Sequence, residues 1–279
     1  MTLDAVSSAI CLGDVTERNV QNLRLSYHGV FLGDALDALM EADVGRFEVE
    51  IPTPASWPSL SLSTEGADGI TYSSILSAFQ DALCPRDTCI VEVGTISGLM
   101  SNIRLPTDAK MISQTLWGSI GAATPMVLGA ELAKRADESA SDTSDLSRTL
   151  LVTGDGAHLM TANEIGTFGR VGAKPIIVVI NNGVYGVEEF LERNERRSYN
   201  DLTGWKYAEA AKAMLGKGGD GWLIEVVETN AALVDALARA RDENKAAYIE
   251  ARMSEILLKA MSTADLSIMY FDLPPTMTE

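Results

Sequence analysis

The sequence predicts an α/β domain in which a parallel sheet carries helices on both faces, preceded by a short fragment of a second α/β domain. Two apolar runs carry this prediction, TLLVTGDG at 149–156 and PIIVVINN at 175–182. Both are β-branched and apolar on consecutive positions, as strands buried on both faces are. Such strands have no wet face, so helices must cover both sides of a parallel sheet. The third observation is that Asp155 and Asn182 close these runs, and open parallel sheets bind ligands at the carboxyl ends of their strands.

Taken in chain order, residues 1–43 read as the last strand and helix of another domain, with Phe31, Leu32, Ala35, Leu36 and Leu39 at helical spacing. Residues 44–69, with Pro52, Pro54, Pro58 and several Ser, read as a linker. The main domain spans 70–255. TYSSILSAFQDAL is its first helix and TCIVEVG its first core strand. The acidic, serine-rich stretch 135–148 reads as a solvated loop before the strand at 149, and one helix is expected between the two apolar runs. WLIEVV at 222–227 and AAYIEAR at 246–252 are further strands, separated by the helix AALVDALARAR. The tail, 256–279, mixes an amphipathic segment with LPPTMTE, and its role is open between covering the site and fraying.

Composition narrows the function classes. The chain has 279 residues, 46% of them hydrophobic, and a mean hydropathy of +0.07, enough to bury a full core. With 39 acidic against 22 basic residues its net charge is −17, which argues against nucleic acid and anionic membranes as partners. Cys11, Cys84 and Cys89 are an odd, unpatterned set without zinc spacing, which fits a reducing compartment. No leader pattern opens the chain and no apolar run is long enough to span a bilayer, so a cytoplasmic protein is expected.

The chemistry sits in GDGAHLMTANEIGTFGRVGAKPIIVVINN, at 154–182. Magnesium prefers oxygen ligands and is commonly shared between protein carboxylates and substrate phosphates. Asp155 supplies charge, Asn182 a neutral amide oxygen, and the free N–H groups of Gly156 and Ala157, opening a helix, suit a diphosphate. A Gly-Asp-Gly alone is usually a turn. The Asn pair at the end of the following strand is what makes the pattern specific.

That pattern, with VEVGTISGLMSNIRLP and SQTLWGSIGAATPMVLGAELA upstream and NNGVYGVEEF running into YNDLTGWKYAEAAKAM downstream, resembles the carboxyl-terminal, diphosphate-binding half of the thiamine-diphosphate-dependent pyruvate and indolepyruvate decarboxylases, over residues 70 to 255. The resemblance implies the thiamine-diphosphate-binding fold, with thiamine diphosphate and Mg2+ as cofactors. It implies metal ligation by Asp155, the Asn182 side chain and the Val184 carbonyl. Thr95, Gly156 and Ala157 would hold the diphosphate. The Gly118 carbonyl, with Ser119 beside it, would accept from the cofactor's 4'-amino group, and Ile120 would be the apolar wedge that keeps the cofactor bent. The loop from Asn182 through Gly183, Val184, Tyr185 and Gly186 to Val187 would line the cavity. Glu188 stands where this group carries an active-site acid, and a carboxyl out of bulk water would have its pKa raised and so hold a proton for the product. The other reading of Glu188 is a solvated helix face, and Glu189 is read as surface.

Two departures from the pattern are Asn163, where a glutamine is usual, and Val93, where a threonine is usual. His158 is assigned no role and His28 no partner. The resemblance further implies a non-oxidative 2-oxo-acid decarboxylase, a carboxy-lyase releasing carbon dioxide and an aldehyde from a small-molecule 2-oxo acid. The family's pyrimidine-binding domain, with its proton-shuttling glutamate, has no counterpart in these residues. The expectation is therefore a partner subunit bearing that domain, or a homo-oligomer. The alternative is a truncated noncatalytic homologue serving as a binding or regulatory subunit.

Overall fold

In the computed structural model, the described residues are 69–138, 147–192 and 197–253, with 11–12, 19–21, 26–28, 37 and 41 before them. Contacts divide the chain into two units, Met1–Ser59 and Leu60–Glu279. In the first, β1 (Cys11–Leu12), β2 (Asn19–Gln21) and β3 (Ser26–His28) pair antiparallel in that order, where a single strand before a helix was expected. Asp37 and Glu41 are helical and exposed. The apolar positions 31, 32, 35, 36 and 39, nearly all of the expected linker, and the tail lie outside the described residues.

The second unit is built on six parallel strands in the order β5-β4-β6-β7-β9-β8. These are β4 (Thr88–Val91), β5 (Lys110–Ser113), β6 (Thr149–Gly154), β7 (Ile176–Asn181), β8 (Leu223–Val227) and β9 (Ala247–Arg252). Alternate residues along the inner strands feed two separate cores. Val91, Val152, Val178 and Ile249 pack beneath α1 (Tyr72–Ala82), α2 (Thr95–Met100) and α8 (Asn230–Asp242). Ile90, Leu151, Ile177 and Tyr248 pack beneath α3 (Ala123–Glu138), α5 (Glu164–Val171) and α7 (Tyr207–Leu215). Helices thus cover both faces, as the unbroken apolarity of the strands requires.

Helix starts follow local chemistry. Thr71 and Ser74 form a reciprocal capping box on α1, and Thr229 caps α8 through the Ala232 N–H. The single helix expected between β6 and β7 is instead two, α4 (Asp155–Leu159) and α5. Across the break the N–H groups of Met160, Thr161, Glu164, Ile165 and Gly166 each bond three residues back, and Thr161 Oγ1 donates to the Gly121 carbonyl at 2.8 Å. The tighter winding and this tether turn the chain between the two helices.

The expected loop at 135–148 is also revised. α3 runs through Glu138, and Arg135 in its last turn donates to the carbonyls of Val171 and Gly172. Arg148 is buried rather than solvated, and its guanidinium bonds the Lys245 carbonyl at 2.6 Å and Asn244 Oδ1 at 3.1 Å. The fully buried Asp87 accepts from the Arg148 N–H at 2.8 Å and from Arg241 at 2.6 Å. This polar lattice ties together the amino ends of the strands.

Asp155 and the loop 182–187 lie at the carboxyl ends, where the site was expected. From β4 the chain first crosses to β5 and then to β6 on the other side of β4. The reversal falls between β4 and β6, and in such sheets a ligand usually lies beyond the carboxyl ends of the strands at that point.

Candidate active site

Asp155 follows β6 directly and is 2% exposed. Its Oδ2 accepts from the Gly183 N–H at 2.8 Å and its Oδ1 from the Gly156 N–H at 2.9 Å. The first bond joins the end of β6 to the loop after β7, so the two ends of the sequence motif do meet. The second engages the Gly156 N–H, one of the two amides expected to face a diphosphate, with the neighbouring carboxylate. Burial pushes the Asp155 carboxyl up to about 6, with backbone N–H groups opposing the rise. Among the described residues no Lys or Arg side chain pairs with it.

The two asparagines divide their work. Asn181 Nδ2 donates to Glu250 Oε1 at 2.9 Å, fastening β7 to β9, and Glu250 Oε2 accepts from the Ala208 N–H at 2.9 Å. Asn182 turns into its own loop, its Oδ1 accepting from the Val184 N–H at 3.2 Å. Val184 is buried and bridges Asp201, and the Tyr185 N–H donates to the Asn200 carbonyl at 3.0 Å. Tyr185 lies over Gly156, where an added Cβ would stand 2.3 Å from its ring. A side chain at 156 would evict the tyrosine. Gly186 and Val187 are half-buried in the first turn of α6 (Gly186–Leu191).

Thr95 is buried at the start of α2, beyond β4. Ala157 is buried within α4. Gly118, Ser119 and Ile120 lie together on an exposed strip, Ile120 being 38% exposed and the preceding Trp117 83%. Glu188 is exposed in the first turn of α6, while Glu189 is half-buried. That reverses the ordering expected of the pair, since the active-site acid was to lie out of bulk water. In this chain by itself Glu188 faces solvent.

The donor set suits a hard cation. Among the described residues no group of three or more His, Cys, Asp or Glu converges to hold a metal. A metal placed here would meet one carboxylate with amide and carbonyl oxygens, the all-oxygen chemistry that magnesium takes alongside phosphates. A buried carboxylate met only by backbone N–H groups is a fitting place for that ion's charge.

Of two buried groups, Glu92 escaped the sequence reading and His158 was assigned no role there. Glu92, 1% exposed, follows β4 and accepts from the Val93 N–H at 3.0 Å and the Ala123 N–H at 3.1 Å. An acid continuing an apolar strand was its only signal. His158 is fully buried, its Nε2 2.9 Å from the Tyr248 hydroxyl and its Nδ1 3.3 Å from Thr124 Oγ1. Burial lowers its pKa to about 4, so it is neutral at pH 7. The unfolded chain takes up that proton near pH 6.5 and the folded chain only near 4. Stability from this group is therefore complete above pH 6.5 and drains away as pH falls toward 4, by on the order of 3 kcal/mol. Denaturant midpoints at pH 7 and pH 4.5 should converge in His158→Gln relative to wild type. Equal pH sensitivity in both proteins would refute the assignment.

Comparison with known proteins bears on this arrangement. Residues 92–251 match the family model described as "Thiamine pyrophosphate enzyme, C-terminal TPP binding domain". Alpha-keto-acid decarboxylases of Mycolicibacterium paratuberculosis and Mycobacterium avium are each 36% identical over 222 residues, covering 78% of this chain and 37% of their own. The Mycobacterium ulcerans protein of the same name is 36% identical over 172 residues. Benzoylformate decarboxylase from Polynucleobacter necessarius superposes with a TM-score of 0.56 at 20% identity, over 67% of this chain and 34% of that one, a likeness of fold. The chain spans 28–37% of the length of these curated relatives.

Proposed function

The chain belongs to the thiamine pyrophosphate enzyme family through its C-terminal TPP binding domain, and from that premise we propose that it is the thiamine diphosphate- and magnesium-binding part of a 2-oxo-acid decarboxylase. The reaction would be non-oxidative, converting a 2-oxo acid to carbon dioxide and an aldehyde. Relatives named alpha-keto-acid decarboxylase support this choice within the family. The observation that carries the site is Asp155, buried at the end of β6 and bonded across to Gly183 in the loop after β7.

On this reading Asp155, Asn182 Oδ1 and the Val184 carbonyl hold magnesium. Thr95, Gly156 and Ala157 face the diphosphate, and Gly118, Ser119 and Ile120 face the ring system, with Tyr185 and Val187 lining the cavity. When bound, thiamine diphosphate supplies the carbon nucleophile and electron sink that decarboxylation requires. The chain's own residues place and desolvate it. A second, pyrimidine-binding domain completes the site, and its arrival covers the exposed Ile120 strip and Glu188. Covered in this way, the Glu188 carboxyl is placed to give the proton that the product carbon needs. The free thiols Cys84 and Cys89 suit a reducing, cytoplasmic setting.

Calorimetry of the chain with thiamine diphosphate, with and without magnesium, tests the site. Magnesium-dependent binding is expected, and its absence would sink the reading. In the completed enzyme Glu188→Gln should preserve cofactor affinity and lower turnover by roughly a hundredfold or more. Undiminished turnover would return Glu188 to the helix surface. The exposure of Glu188 also favours one second reading, a noncatalytic homologue acting as a binding or regulatory subunit, for which Glu188→Gln changes nothing.

A further inference from the structure

We propose that Glu92 is a positioning residue that locks the Gly118–Ser119–Ile120 strip against the end of β4, fixing the register between the diphosphate-facing and ring-facing parts of the site. The proposal rests on the reading of the site given above. Glu92 is 1% exposed and its two oxygens are spent on different segments, Oε1 on the Val93 N–H at 3.0 Å and Oε2 on the Ala123 N–H at 3.1 Å. The N–H groups of Gly121 and Ala122 also stabilise its charge. One carboxylate therefore gathers the amides that open the long helix α3, as an anion at a helix start does. Thr95 lies three residues after Glu92, and Ile120 immediately precedes the gathered turn.

The turn is also held from the other side. Thr161 Oγ1 donates to the Gly121 carbonyl at 2.8 Å. Gly121, at φ +86°, lies so close to the end of α4 that an added Cβ would stand 2.5 Å from Met160 Cβ. The strip thus departs from a turn wedged between the segment bearing Thr95 and the one bearing Gly156 and Ala157, with Glu92 the charged side of the wedge. Burial alone raises the Glu92 pKa against those amides, so its position costs stability that a core residue would not.

The test compares two probes, thiamine diphosphate with magnesium and inorganic pyrophosphate with magnesium, on the full chain. Pyrophosphate reports only the phosphate-facing half, whereas thiamine diphosphate also needs the strip. Glu92→Gln replaces an acceptor with an amide donor facing a backbone N–H, and should weaken thiamine diphosphate at least about tenfold while leaving pyrophosphate within about twofold. Thr161→Val removes the opposite tether without disturbing a buried charge, and should give the same selectivity at smaller size. Hydrogen exchange should quicken at residues 121–123 in both variants. Equal losses for both probes in both variants, or none in either, would overturn the positioning role. Failure of the wild-type chain to bind either probe would overturn the cofactor site itself.

Discussion

Asp155→Ala is expected to abolish magnesium-dependent thiamine diphosphate binding while leaving the cofactor-free fold at least as stable as wild type. The carboxyl is the one charged ligand in the proposed metal set, and the amide and carbonyl oxygens of Asn182 and Val184 cannot replace its charge. Its burial penalises the charged form, pushing its pKa to about 6, so without a cation this side chain is a burden on folding. A residue kept for packing behaves oppositely, since its removal lowers stability and leaves ligands indifferent. Asp155→Asn sharpens the contrast by keeping an acceptor for the Gly183 N–H. Asn182→Ala should weaken binding less, because it removes a neutral ligand. Titrating magnesium at fixed thiamine diphosphate, beside urea unfolding of the apo proteins, reads both properties. Unchanged cofactor affinity in Asp155→Ala would end the metal assignment.

The sheet was legible because burial on both faces leaves β6 and β7 the unbroken apolar runs 150–152 and 176–180, a pattern that few alternatives produce. β5 was not, because KMIS is an edge strand alternating exposed and half-buried positions, too short and too mixed to stand out. The break between α4 and α5 was hidden for a different reason. Its cause is the contact of Thr161 with Gly121, forty residues upstream, which no local window contains. Arg148 was misread because a charge beside an acidic, serine-rich stretch looks solvated, and only Asp87, Asn244 and Lys245 together make it an interior residue. At the site, spacing brought Asp155 and the Asn182–Tyr185 loop together correctly. It could not show that the Gly156 N–H is already bonded, that Asn181 serves β9, or that Glu92 fastens two loops.

Supplied with thiamine diphosphate and magnesium, the chain by itself should show no measurable decarboxylation of 2-oxo acids, and activity should appear when the complementary pyrimidine-binding domain is provided. Leu116 is 90% exposed, Trp117 83% and Ile120 38%, and these residues form or adjoin the strip assigned to the cofactor's rings. A wedge that bends a strained cofactor works only inside a packed, water-free cavity, and Glu188 lies in bulk water. Both deficits are repaired by one event, the docking of an apolar surface over the strip. On the proposed reading that surface would belong to another domain, whether of a longer protein or of a second chain, since exposed apolar residues grouped in this way are where partners bind. The assay should pair the chain with a relative's pyrimidine-binding domain, following solution mass and turnover together. Association with turnover supports the shared site. Robust decarboxylation by the chain alone would place every essential group within these residues, and cofactor binding that persists with no turnover in either case would favour the noncatalytic homologue.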